Sequence, residues 1–179
     1  VLVLALAGLG VPSVFAGTRE SVRAILSARD FMPLTAEAWR KLGPGVEGHL
    51  MEAADDTALT YGARERAMTA LATTGGPSAR EFLRKTVERP KISPQLLSSA
   101  LESYGRGFGR TDPSDVLLLS LPLLANPEWG VRQSAVRALG EVGTKEAMTA
   151  LRDRQTKETH PAVLHTLRAA IAKSETGKR

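Results

Sequence analysis

Ala63-Arg64-Glu65-Arg66-Ala67-Met68-Thr69-Ala70-Leu71-Ala72 lies in register with Val131-Arg132-Gln133-Ser134-Ala135-Val136-Arg137-Ala138-Leu139-Gly140. Arg, Ala, Ala and Leu coincide, and both ends are small or apolar. The agreement runs on without a gap, since Ala79, Leu83 and Arg84 fall on Ala147, Leu151 and Arg152. The offset is 68 residues, twice 34. Halfway between lies a weaker copy, Leu96 to Gly105, and a last copy, Val163 to Ala172, starts 32 residues beyond Val131. Thr35–Gly43 is the most degenerate unit, its Leu42-Gly43 lying 29 residues before Leu71-Ala72. Self-similarity at this period marks a stacked repeat array.

The apolar positions explain why such units stack. Val131, Ala135, Ala138 and Leu139 follow the i, i+4, i+7, i+8 spacing of one helix face. Much of that stripe is alanine, so neighbouring helices can approach closely. One helical hairpin cannot bury its stripe alone, but a stack of hairpins can.

Helical periodicity continues outward in both directions, broken by Gly, Pro, Asn and Asp, with no convincing strand. The pattern predicts helices over Thr18–Ala28, Thr35–Leu42, Val46–Ala54, Ala58–Ala72 and Ser78–Val87. It predicts five more over Pro94–Tyr104, Ser114–Ala125, Glu128–Val142, Lys145–Arg154 and Pro161–Lys173. Short helices with short links suggest hairpin pairs rather than a four-helix bundle.

These residues resemble the HEAT repeats. Leu117-Leu118-Leu119-Ser120-Leu121-Pro122-Leu123-Leu124 is similar to the first helix of a unit, with its internal proline. Asn126-Pro127 resembles the turn, and Val131-Arg132 through Ala138-Leu139-Gly140 the second helix. The match is strong for 114–152, clear for 58–87, loose for 94–110 and 155–173, and weak before 45. Asn126 stands where the family usually has Asp, and Leu164 replaces the arginine of the last unit. The resemblance implies an all-α, right-handed α-solenoid of about five HEAT-like hairpins (18–43, 46–72, 77–105, 114–142 and 145–173). It also implies that Arg64 and Arg132 belong to a ladder of polar contacts between repeats. That ladder is expected to be incomplete in the middle and last units.

The composition sets outer limits. The chain has 179 residues, 42% hydrophobic and 24% charged, enough apolar material for one core. The absence of cysteine excludes a disulfide scaffold, a zinc–thiolate site and a cysteine nucleophile. Val1 to Ala16, VLVLALAGLGVPSVFA, is uncharged, too short to span a bilayer, and ends in a small-x-small pattern. It reads as a secretory signal peptide (1–16) cleaved near Ala16, before a repeat domain (17–173) and a polar tail (174–179). Longer upstream sequence would make it an uncleaved anchor instead. Export without cysteine suits a bacterial periplasm or cell surface.

Residues 1–59 carry 5 basic and 7 acidic side chains; of totals of 24 and 19, that leaves 19 and 12 beyond position 60. The basic excess therefore lies in the repeats, and Arg80, Arg84, Lys85, Arg89 and Lys91 form its densest run. A solvated helix face is the expected role. An anionic surface or polyanion is the alternative partner for such charge. Few aromatic residues are available to stack bases, so nucleic acid is not expected.

Catalytic patterns are sparse. His160 and His165 are five apart, outside the i, i+4 spacing of a helical metal pair, and His49 lacks an HExxH context. No serine sits in a GxSxG elbow. Neither a metal nor a cofactor is expected. An enzymatic role, of the kind known for HEAT-like bilin lyases and DNA glycosylases, finds no paired acid and base here.

Gly105-Arg106-Gly107-Phe108-Gly109-Arg110 is the most unusual stretch. It reads as a helix C-cap at Gly105 followed by a flexible link between repeats. Were it an exposed loop, Arg106, Phe108 and Arg110 would be the first residues expected to grip a partner. On the second helices, Arg66, Ser99, Gln133, Arg137 and His165 are expected on the concave face. Trp39 and Trp129 lie near helix-pair junctions and are expected to pack between units. The resulting expectation is an exported, non-catalytic scaffold that binds a partner protein along that face. The alternative is a salt-sensitive binder of polyanions or an anionic envelope surface.

Overall fold

A computed structural model describes residues 18–176 and places ten α-helices along them, with no strand among the described residues. They are α1 (Thr18–Ser27), α2 (Ala36–Arg40), α3 (Val46–Asp55), α4 (Tyr61–Thr74) and α5 (Pro77–Glu88). They continue as α6 (Pro94–Phe108), α7 (Pro113–Ser120), α8 (Trp129–Val142), α9 (Lys145–Gln155) and α10 (Pro161–Thr176). The expected signal segment lies outside the described residues. The last helix runs to Thr176, three residues into the stretch expected as a tail.

Helices pair as α3 with α4, α5 with α6, α7 with α8 and α9 with α10. The second helices then stack on one another in the order α4, α6, α8, α10. This is an α-solenoid, as the repeat register requires. Its first unit is irregular: α1 packs on α3 and α4, while the five-residue α2 packs on α4 with Trp39 buried.

Local sequence sets the ends of these helices. Thr60, Ser93 and Thr144 each accept a hydrogen bond from a backbone N–H three residues on, satisfying a donor that the helix itself leaves free. Gly75 and Gly143, again 68 apart, end α4 and α8 with φ of 69° and 66°, a backbone that side chains resist. The first helix of the fourth unit is shorter than predicted. Pro122 has no N–H to give and would clash with the preceding turn, so α7 stops at Ser120 and a 3-10 turn follows over Pro122–Ala125.

The core is a strip of Ala, Leu, Val and Met shared between hairpins. Ala63, Ala67 and Ala70 of α4 and Ala135 and Ala138 of α8 are all buried there. Closest approach falls at α6. A Cβ on Gly105 would lie 2.5 Å from Cα of Ala138, and one on Gly107 would lie 3.1 Å from Cα of Ala72. The glycines thus let α6 seat between α4 and α8. This corrects the expected loop: Gly105 to Phe108 continue the helix, and the chain turns only at Gly109.

Polar bonds restate the period. Arg19–Glu52, Arg23–Asp56, Arg80–Asp112, Arg84–Asp115, Arg89–Asp55, Arg137–Glu102 and Lys173–Glu141 join residues 31 to 35 apart. Each therefore ties one hairpin to the next. They also neutralise much of the basic run, whose Arg80, Arg84 and Arg89 all face carboxylates and whose Lys85 pairs with Glu81.

Candidate partner-binding groove

The second helices present three parallel polar stripes. On α4 these are Tyr61, Glu65 and Thr69; on α8, Trp129, Gln133 and Arg137. The i, i+4, i+8 spacing puts each set on one face. Between them α6 contributes Gln95, Ser99 and Ser103, with Ser98, Glu102 and Arg106 beside them. Together the stripes enclose a groove of about 370 Å³, with α6 between α4 and α8.

One end of the groove is aromatic, with Tyr61 on α4 and Trp129 on α8 to either side of α6. Tyr61 is 43% exposed, and its hydroxyl donates to the Gln95 carbonyl at 3.0 Å and lies 2.7 Å from Ser99 Oγ. Trp129 is 46% exposed and stacks on His160, ring centroids 4.5 Å apart and planes within 5°. Trp129 thus packs between units through one ring face, which rests on the next repeat as expected, while much of the side chain stays in solvent. Trp39, at 1% exposure, does pack between units.

The opposite end of the groove is charged. Glu102 accepts from Arg106 at 2.9 Å through one carboxylate oxygen and from Arg137 at 2.8 Å through the other. The structure thus brings together two of the residues expected to meet a partner, from different parts of the sequence. Gln133 also lines the groove, but its amide already donates to Thr166 Oγ1 at 2.9 Å and to the Ala162 carbonyl at 3.3 Å.

The remaining expected residues lie elsewhere. Phe108 is 5% exposed and packs on Tyr104, ring centroids 5.5 Å apart, so it belongs to the core and not to a gripping loop. Arg110 is exposed in the turn after α6, away from the groove's lining. Arg66 does not face a partner: it donates to the carbonyls of Leu26 and Ala28, 2.9 Å each, and lies 4.6 Å over the Phe31 ring. It pins the end of α1 and the following loop onto α4.

Sequence reasoning passed over Tyr61, Glu65, Glu102 and Glu128 as groove residues. The signal for two of them was within reach. Extending the aligned repeats two residues upstream sets Tyr61 on Trp129 at the same offset of 68, with Glu65 on Gln133 and Thr69 on Arg137.

A second polar cluster sits at the turn before α10. The buried Glu158 carboxylate accepts from Arg132 at 2.8 and 2.9 Å, from Arg154 at 2.6 Å, and from the backbone N–H of Thr159 and His160. The bonds from Arg132, with those from His160 N–H and Arg154, hold its carboxyl well below the usual range, against a burial that pushes it up. Every lone pair is committed, so the cluster is structural. Arg132 also donates to the carbonyls of Asn126 and Pro127, and Arg64 to that of Ala54. Arg132 thus reaches the next repeat, as expected of a ladder between repeats, whereas the Arg64 bond holds the turn of its own hairpin.

Among the described residues no helix is long and apolar enough to cross a membrane, and no three His, Cys, Asp or Glu side chains converge as metal ligands.

With stacked hairpins, second helices in a row and arginine-held turns, the architecture is that of a helical-repeat protein. Residues 93–172 match the HEAT repeats family, in line with the resemblance read from the sequence. Among solved structures it is similar to a chain in the complex of CpcE and CpcF of phycocyanin lyase from Nostoc sp. PCC7120. That likeness has a TM-score of 0.59 at 21% identity, covering 75% of this chain and 85% of the other. No curated protein matches the sequence.

Proposed function

We propose that this chain is an exported, non-catalytic HEAT-repeat scaffold that holds a partner protein in the groove of its second helices. The observation that carries the reading is the pair of exposed rings at one end of the groove. Trp129 is braced by His160, and Tyr61 is braced by its bonds to Gln95 and Ser99. Rigid aromatic side chains left in solvent are the residues that anchor interfaces, because they bury much area at little entropic cost. Arg106 and Arg137 add a charged end to the same surface. The neighbouring fold in the CpcE–CpcF complex is itself described in a protein–protein assembly, which supports the same use here.

Affinity capture from native extract with the full chain and with Trp129→Ala tests the reading. A stoichiometric protein that survives high salt on the parent and is lost on Trp129→Ala is the expected result. Capture that is unchanged by Trp129→Ala, or only acidic material released by high salt, overturns it. Export is tested separately by fractionation and N-terminal sequencing. A mature chain beginning at Gly17 is expected, and cytosolic material that retains Val1 overturns it.

A further inference from the structure

We infer that the groove takes a proline-rich segment of its partner, laid across α4, α6 and α8 as a polyproline II helix with a proline at every third position. The inference rests on the partner-binding reading above and gives the partner's chemistry.

The groove holds hydrogen-bond donors that the protein itself does not use. Ser98 on α6 and Trp129 and Ser134 on α8 line it. The Trp129 indole N–H and the two serine hydroxyls make no hydrogen bond within the protein. Ser134 is the telling case. It is 4% exposed, and a hydroxyl so deeply buried ordinarily has a partner. Its oxygen is not sealed from solvent, so a ligand in the groove can reach it. An indole N–H only donates, and a hydroxyl donates readily. Their complement is a run of carbonyl oxygens on a chain with few N–H groups of its own to satisfy. Proline-rich chain supplies it, because proline has no N–H and polyproline II leaves every carbonyl without an internal bond. Its rings also pack on exposed aromatic side chains. A β-strand would bring as many N–H groups as carbonyls, and no strand edge stands among the described residues to pair with them.

The helix registers bring the two exposed rings to one level. Tyr61, Gln95 and Trp129 follow one another at intervals of 34 residues. The Tyr61 hydroxyl meets the Gln95 carbonyl, and a Cβ on Gly130 would lie 3.8 Å from Ser98 Oγ, so the first turns of α4, α6 and α8 lie side by side. A chain crossing them meets Tyr61, then α6, then Trp129. Packed helices have axes about 8–10 Å apart, which sets α4 and α8 about 16–20 Å from each other. In polyproline II, positions i, i+3 and i+6 share a face, and six residues cover about 19 Å. Prolines at i and i+6 therefore reach the two rings, with the middle one over α6.

The test titrates the isotope-labelled full chain with a capped peptide, Ala-Pro-Ala-Ala-Pro-Ala-Ala-Pro-Ala, and with an isomer, Ala-Ala-Ala-Pro-Pro-Pro-Ala-Ala-Ala. The spaced peptide is expected to move the Trp129 indole N–H and Tyr61 ring signals together, and to bind more tightly than the isomer. Tyr61→Ala is expected to abolish that preference. Ser134→Ala is expected to weaken the spaced peptide about fivefold, the worth of one net hydrogen bond. Its urea midpoint is expected to hold or rise, because the free protein loses no bond. Equal binding of the two peptides overturns the inference, as does a Ser134→Ala variant that binds like the parent or unfolds at lower urea. Groove signals that respond to neither peptide also overturn it. So does their concentration-dependent movement in the free chain, which would seat a second copy there. The partner reading itself stands or falls on the Trp129→Ala capture.

Discussion

Arg132 and Glu158 are 26 residues apart in sequence and meet through two parallel hydrogen bonds of 2.8 and 2.9 Å. The guanidinium simultaneously holds the carbonyls of Asn126 and Pro127, so one side chain fastens the turn before α8 to the turn before α10. The Glu158 side chain is fully buried and that of Arg132 is nearly so. Removing one partner of such a pair strands the other charge. Glu158→Ala is expected to cost about 3 kcal/mol of unfolding free energy. Urea denaturation measures it. Arg132→Lys, which cannot form the paired bonds, is expected to recover only part of the wild-type value.

The same cluster makes stability depend on acidity. The bonds from Arg132 lower Glu158 in the folded state, so its contribution is complete above the unfolded carboxyl value of about 4.3. It is lost progressively as pH falls below that value towards the folded one. Unfolding free energy measured between neutral and acid pH is expected to fall more steeply in the parent than in Glu158→Gln. Asp56, held low first by Ala58 N–H and then by Arg23, and Glu52, held low first by His49, contribute equally to both proteins and cancel in the difference.

Two glycines on second helices give opposite expectations. Gly105→Ala drives a methyl to 2.5 Å from the Ala138 backbone, so α6 and α8 must part. A loss of about 1–3 kcal/mol is expected. Gly62→Ala, near the start of α4, meets nothing within 4 Å and gains helix propensity. A gain of about 0.5 kcal/mol is expected. Thermal unfolding of the two variants side by side tests both signs.

The two tryptophans report on different places. Trp39 is buried beneath the first unit, whereas Trp129 stands at the groove edge. In Trp39→Phe, the remaining emission is expected to be quenched readily by iodide. In Trp129→Phe, it is expected to be protected. Trp39→Ala is expected to cost about 3 kcal/mol or more, since it empties a buried indole site.

Most of the fold was legible because a repeat writes its register more than once. The offset between Ala63 and Val131 set the helix pairing, and the structure repeats it in the Gly75 and Gly143 caps and in the inter-hairpin ion pairs. Where one copy had a feature of its own, the reading was less complete. Gly105-Arg106-Gly107-Phe108-Gly109 carries the composition of a loop, yet its glycines serve packing against Ala72 and Ala138, a tertiary demand that local propensity does not express. Arg66 looked like a surface cation on a polar stripe. Its actual partners are carbonyls 38 and 40 residues away, in a first unit too degenerate to align. The groove was half visible: Ser99, Gln133 and Arg137 were named from helix geometry and Arg106 only as part of an expected loop, while Tyr61 and Glu128 lay just outside the aligned block.

The ties that recur every 31 to 35 residues also decide how the molecule yields to force. Each links a hairpin only to its neighbour, so a pull along the stack loads them in series. Strain is shared among many short bonds rather than concentrated in one clasp, and the array flexes as a coil spring does. A ligand spanning α4, α6 and α8 would lock three coils together, stiffening that stretch while the outer units remain compliant.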